Sequence, residues 1–165
     1  MNALRVWLVD DDASIRWVLE RALRNDGMAP RAFDAAEGAL DALRRDTPDV
    51  LITDIRMPGA SGLELLRRIR DARPALPVIV MTAHSDLGSA VSAYEGGAFE
   101  YLPKPFDIDE AVALVRRAAS GALGIGAAPE RAARRAAHQG HRLIDVEGLG
   151  QVLERPAFVR RHCAP

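Results

Sequence analysis

Residues 4–12 read LRVWLVDDD, an apolar run closed by three consecutive carboxylates. Leu4–Val9 is almost continuously apolar, without the in–out alternation of a half-exposed strand. That pattern belongs to a strand buried on both faces, the kind found in parallel sheets covered by helices on each side. The abrupt change to Asp10-Asp11-Asp12 marks where the strand leaves the core.

The same unit recurs down the chain. After the acidic triplet, Ile15, Val18, Leu19, Ala22 and Leu23 form one helical stripe that ends at Gly27. Met28–Phe33 is a weaker strand, followed by a helix carrying Leu40 and Leu43. Val50–Thr53 is a third strand. After a Pro58-Gly59 turn, Leu63, Leu66 and Ile69 mark a helix. Val78–Thr82 is the clearest strand of all. Leu87, Ala90, Val91 and Tyr94 then have helical spacing, and Phe99–Leu102 is a fifth strand. Ile108, Ala111, Val112 and Val115 predict a last amphipathic helix. Five strand–helix units with short connections predict an α/β fold. Right-handed crossovers restrict it to a doubly wound five-stranded parallel sheet with helices on both faces.

Composition agrees with one folded unit and narrows the function. The chain has 165 residues, 48% hydrophobic and 27% charged, close to globular averages. Its one cysteine, Cys163, excludes an internal disulfide. No apolar run approaches the ~20 residues of a membrane span, and the opening strand-like run and acidic cluster are unlike a signal peptide. Residues 1–120 carry 15 basic against 19 acidic side chains, while 121–165 carry 7 against 4. The overall charge of −1 speaks against a polyanion-binding chain. A boundary near Gly121 separates a domain at 1–120 from a linker-like, poorly ordered tail at 121–165 that is expected to contribute little to the fold. Of the 22 basic residues 21 are arginine, and Lys104 is the exception. A single lysine suggests a task suited to a compact ammonium rather than a guanidinium fork.

In open parallel sheets function gathers at the carboxyl ends of the strands. Those ends here are Asp10–Asp12, Asp54, Thr82 and Lys104. Carboxylates held close together repel one another and call for a counter-charge. A hard cation such as Mg2+, which takes carboxylate, water and phosphate oxygens, meets that need. Carboxylate, cation, hydroxyl and ammonium together suit phosphoryl transfer, with an aspartate as nucleophile. Plainer roles compete for each residue: Asp12 as a helix N-cap, Thr82 as an ordinary strand residue, Lys104 as a loop lysine between two prolines, Tyr101 as a half-buried strand aromatic. The ordered combination is the specific signal.

DDD after the first strand, DIRMPG (54–59), MTA (81–83) and YLPKPF (101–106) resemble the motifs of response-regulator receiver domains, and of the nitrogen regulatory protein C (NtrC) family among them. The resemblance spans about residues 3–119. It implies the flavodoxin-like strand order 2-1-3-4-5 and a two-component switch that takes a phosphoryl group from a sensor histidine kinase onto Asp54. It further implies that Mg2+ is held by Asp11, Asp54 and the main-chain carbonyl of Arg56, with Asp10 supporting it through water. Counting back from Arg16 favours Asp10 and Asp11 as the acidic pair, with Asp12 the alternative to Asp10. Thr82 and Lys104 would bind phosphoryl oxygens, Tyr101 would change rotamer with the switch, and Lys104–Pro105 would be cis. Catalysis would extend only to the chain's own phosphorylation and dephosphorylation. The implied setting is cytoplasmic, nitrogen-regulated transcription, with a homodimer on activation and without direct binding of nucleic acid or membrane.

NtrC-like proteins continue into an ATPase domain and a DNA-binding domain, which the tail does not resemble. A Walker A motif needs a lysine that residues 121–165 lack. A truncated fragment, an out-of-frame tail and a stand-alone regulator all fit. His138, His141, His162 and Cys163 match no zinc-module spacing. Two other functions compete. A Mg2+-dependent aspartyl-phosphate phosphatase would place its nucleophile in D-x-D after the first strand, where this chain reads DDDAS. A phosphorylation-independent interaction module would use the basic tail, which lacks an aromatic stacking pattern.

Overall fold

The computed structural model describes residues 2–83 and 87–121. The predicted boundary near Gly121, the character of the tail and its histidine–cysteine group therefore lie outside the described residues, apart from Gly121 itself. Five strands alternate with five helices: β1 (Arg5–Val9), α1 (Ala13–Asn25), β2 (Ala29–Phe33), α2 (Ala36–Leu43), β3 (Val50–Asp54), α3 (Gly62–Ala72), β4 (Val78–Ala83), α4 (Leu87–Glu95), β5 (Glu100–Lys104) and α5 (Ile108–Ala119). The strands form one parallel sheet in the order β2-β1-β3-β4-β5.

Strand pleating explains why the inner strands β1, β3 and β4 are apolar along most of their length, unlike the edge strands β2 and β5. Along β1, Val6 and Leu8 face one side while Trp7 and Val9 face the other, and all four are buried. The Val6 side packs with Leu19 and Leu23 of α1 and with Ala111, Leu114, Val115 and Ala118 of α5. The Trp7 side packs with Ala36, Ala39 and Leu43 of α2, Leu65, Leu66 and Ile69 of α3, and Ala93 of α4. Two helices cover one face and three the other. Each fully buried Leu or Ile contributes about 1.5–3 kcal/mol of apolar transfer, so the double layer is the main source of stability.

Local chemistry sets the ends of the elements. The Asp12 carboxylate accepts from the Ser14 and Ile15 amides and caps α1. Gly27 follows that helix at φ +80°, a conformation that favours glycine. Ser61 and Asp107 cap α3 and α5. The fifth strand corrects the sequence reading. It starts at Glu100 rather than Phe99 and runs past Leu102 through Pro103 to Lys104, in register with Thr82 and Ala83. Proline is tolerated because β5 is an edge strand, where a missing N–H donor costs little. The Lys104–Pro105 bond is cis.

The two tryptophans occupy opposite environments. Trp7 is 2% exposed, with Phe33 at 5.1 Å and the Arg31 guanidinium at 5.4 Å from its ring. Trp17 on α1 is 60% exposed, with Arg21 stacked at 5.3 Å.

Candidate functional site

At the carboxyl end of the sheet, β1 and β3 are adjacent, and the chain leaves them in opposite directions to form β2 and β4. A crevice opens where strand order reverses in this way. The residues immediately after β1 and at the end of β3 are Asp10, Asp11 and Asp54. One carboxylate oxygen from each lies within 4.8 Å of the other two.

These carboxylates have different surroundings. Asp10 is 1% exposed and both its carboxylate oxygens are engaged. Oδ1 accepts from the Asp12 amide at 2.9 Å, and Oδ2 accepts from Lys104 Nζ at 2.8 Å. Its main chain is held as well: its N–H donates to the Phe33 carbonyl at the end of β2, and its carbonyl accepts from Arg16 at 2.6 Å. Asp11 is exposed and Asp54 is buried. Lys104 Nζ also lies 3.2 Å from Asp54 Oδ1, so one ammonium bridges two carboxylates. Asp12 stands apart as the α1 cap. The carboxylate grouped with those of Asp11 and Asp54 is that of Asp10, while the Asp12 carboxylate is turned to the α1 amides.

Burial raises the Asp54 pKa above the ordinary carboxylate value and the Asp10 charge adds to the rise, while Lys104 opposes it. Burial would lower Lys104, but its hydrogen bond to Asp10 and the charges of Asp10 and Asp54 more than offset this and raise its pKa. The ammonium is thus kept charged, while the buried Asp54 carboxylate has less counter-charge than it needs. Three converging carboxylates with one lysine are a donor set of hard oxygens, which suits Mg2+ better than a softer metal.

The remaining candidates lie around this group. Thr82 is buried in β4, beyond Met81, which is in register with Asp54. Arg56 is exposed in the loop after β3, and Tyr101 is half-buried in β5. Three contributors escaped sequence reasoning. Arg16 holds the Asp10 carbonyl. Glu37 of α2 accepts from the Ala60 amide in the loop after β3 at 3.0 Å. Gly62 packs so tightly that a Cβ there would lie 1.9 Å from the Asp54 carbonyl oxygen. Gly62 left a trace in the sequence as a poor helix former at the start of a helical stripe, and Arg16 entered only as the residue from which the acidic pair is counted.

The response regulator receiver domain profile matches residues 6–116. The chain belongs to the response regulator receiver domain family. Among curated relatives, this receiver is 66% identical over 114 residues to the DNA-binding transcriptional regulator NtrC of Klebsiella pneumoniae, covering 69% of this chain and 24% of the relative. It is 36% identical over 159 residues to the C4-dicarboxylate transport transcriptional regulatory protein DctD of Rhizobium meliloti (strain 1021), covering 96% of this chain and 34% of the relative. The chain thus spans a quarter to a third of the length of these curated relatives. The solution structure of the apo receiver domain of nitrogen regulatory protein C superposes with a TM-score of 0.67 at 63% identity, covering 73% of this chain and 97% of that one. No helix among the described residues is long and apolar enough to cross a membrane. Its receiver domain is homologous to the corresponding part of the NtrC and DctD response regulators.

Proposed function

We propose that the chain accepts a phosphoryl group on Asp54 from a phosphohistidine of a sensor kinase. The observation that carries this reading is Asp54 itself: a buried carboxylate clustered with Asp10 and Asp11 and approached by Lys104 at 3.2 Å. An Asp54 oxygen attacks phosphorus, the bond from phosphorus to the histidine nitrogen breaks, and the imidazole takes up a proton as it leaves. The geometry favours Asp54 over a nucleophile in the first acidic cluster, because the Asp10 oxygens are already committed to Asp12 and Lys104. That argues against the phosphatase alternative.

Asp11, Asp54 and the main-chain carbonyl of Arg56 would hold Mg2+ directly, with Asp10 supporting it through water. Bound there, the cation neutralises charge that develops on the phosphoryl oxygens. Lys104 would release Asp54 to bind one phosphoryl oxygen, Thr82 would bind another, and Tyr101 would change rotamer as these strand ends shift. In this reading the chain catalyses only its own phosphorylation and dephosphorylation. It works in the cytoplasm, pairs with a second copy on activation, and controls ATPase and DNA-binding output domains in nitrogen-regulated transcription. Intact mass after acetyl phosphate and Mg2+ tests it. Wild type should gain one phosphoryl group and Asp54→Asn none; equal gain in both would refute Asp54 as the acceptor.

A further inference from the structure

The loop between β3 and α3 is clamped at both ends by main-chain hydrogen bonds. The Ile55 amide donates to the Met81 carbonyl at 3.2 Å, and the Gly62 amide donates to the Ile55 carbonyl at 2.9 Å. Between them the chain turns through Gly59 at φ +80°. The next amide, Ala60, donates to Oε1 of Glu37, 23 residues earlier in sequence and on the first turn of α2. The carboxylate sits directly against the turn: a Cβ at Gly59 would be 2.8 Å from the same Oε1. An acidic residue in the first turn of a helix has a plainer role in complementing the helix dipole. That role does not require a 3.0 Å contact with a loop on another element. The amides of Ala60 and of Glu37 itself hold the Glu37 carboxyl below its usual range, aided by the charge of Arg68, so the acceptor is ionised at neutral pH.

We infer that Glu37 is a positioning residue for the cation: by pinning the Gly59–Ala60 turn it fixes the main-chain carbonyl of Arg56, only three residues before Gly59. The inference rests on the reading of the acidic pocket as a Mg2+ site. A main-chain ligand has no rotamer to adjust, so its aim depends wholly on how the loop is held. Partners that orient metal ligands typically contribute 10–100-fold to affinity. Glu37 acts through several bonds, so the low end of that range, roughly tenfold, applies.

The decisive comparison separates reach from charge. Glu37→Gln keeps an oxygen acceptor at the same distance without the charge. Glu37→Asp keeps the charge on a stem one methylene shorter, too short to make the contact. Mg2+ binding to the 165-residue chain is measured by titration calorimetry, and amide exchange across residues 56–62 is followed without metal. Glu37→Gln should bind Mg2+ nearly as wild type does and protect the Ala60 amide. Glu37→Asp and Glu37→Ala should bind roughly tenfold more weakly, with faster exchange across the loop. Wild-type affinity in Glu37→Asp, or equal weakening in Glu37→Gln and Glu37→Asp, would overturn the inference while leaving the pocket reading intact. Failure of wild type to bind Mg2+, or unchanged binding in Asp54→Asn, would refute the pocket reading and this inference with it.

Discussion

Asp54 is held in an environment that works against its own charge. A carboxyl whose folded pKa is raised destabilises the fold when ionised. The penalty is absent well below the unfolded value of 3.8, develops as pH rises through the folded pKa, and is complete above it. Asp54→Asn should therefore raise the melting temperature of the metal-free chain at pH 7, and the gain should shrink as pH falls toward 4. On the proposed Mg2+ site, Mg2+ should narrow the gap from the other side, since a ligand at 100 times its Kd stabilises by about 2.7 kcal/mol and only wild type would bind it well. Melts at several pH values, with Mg2+ and with chelator, check both limbs. An Asp54→Asn chain less stable than wild type at pH 7 without metal would show that the Lys104 pair outweighs burial. The place of Asp54 at a strand end was legible in the sequence, and counting back from Arg16 favoured Asp10 over Asp12 without excluding Asp12. Three adjacent aspartates look alike until the capping bonds to Ser14 and Ile15 claim one of them.

Among the elements, α3 and α4 differ in how much freedom they allow their glycines. Gly62 opens α3 where the Asp54 carbonyl approaches, leaving no room for a methyl group. Gly62→Ala should destabilise by about 1–3 kcal/mol or more, as overpacking does, and should slow phosphorylation because the backbone forced to shift is that of Asp54. Denaturant melts and the acetyl phosphate assay give the two readouts. Gly88 in α4 is the opposite case. A Cβ there meets nothing within 4 Å, so Gly88→Ala should stabilise the chain by roughly 0.5–1 kcal/mol. A destabilised Gly88→Ala chain would mean that the helix is not the ground state at this position. These differences explain what the sequence hid. Helices were readable from their apolar stripes and inner strands from unbroken apolar runs, whereas the end of β5 was misplaced because Pro103 reads as a stop unless the strand is known to be an edge. Glu37 acts through a contact made only when α2 meets the loop after β3, while Arg16 and Gly62 act on the nearby main chain of Asp10 and Asp54 in ways that apolar periodicity does not mark.

Across the whole molecule, register joins the pocket to α4. Thr82 pairs with Pro103, and Ala83 pairs with Lys104, so the ends of β4 and β5 are coupled side by side. The chain runs from the end of β4 to the start of β5 through α4, with Gly88 inside it and Gly96-Gly97 after it, Gly97 at φ +88°. Drawing Thr82 and Lys104 toward a phosphoryl group would move the strand end from which α4 departs and the strand into which it leads, on either side of a helix with weak intrinsic propensity. Amide exchange should therefore change most across about residues 82–104 when a beryllofluoride mimic and Mg2+ bind. Changes confined to residues 10–16 and 54–62 would instead describe a pocket that fills without switching. The apolar face expected from Leu87, Val91 and Tyr94 is the surface such a motion would present, although the side chains of Leu87 and Tyr94 lie outside the described residues. Charge adds a second tie between distant parts of the fold. Arg116 of α5 pairs with Asp26 at the end of α1, and the hydrogen bond holds the Asp26 carboxyl below its usual range.

The contrast between Trp7 and Trp17 has an optical consequence. Trp7 lies three residues before Asp10, sealed from water beneath Phe33 and Arg31, while Trp17 stands on the helix that follows the acidic turn. Their emission should separate, blue-shifted and shielded from the buried ring, red-shifted from the exposed one. Iodide should extinguish the exposed ring first, leaving a residual signal from the middle of the sheet. The chain thus carries one interior and one surface chromophore within a few residues of its acidic pocket, so events at the strand end and events on the helix can be followed in one cuvette without a label.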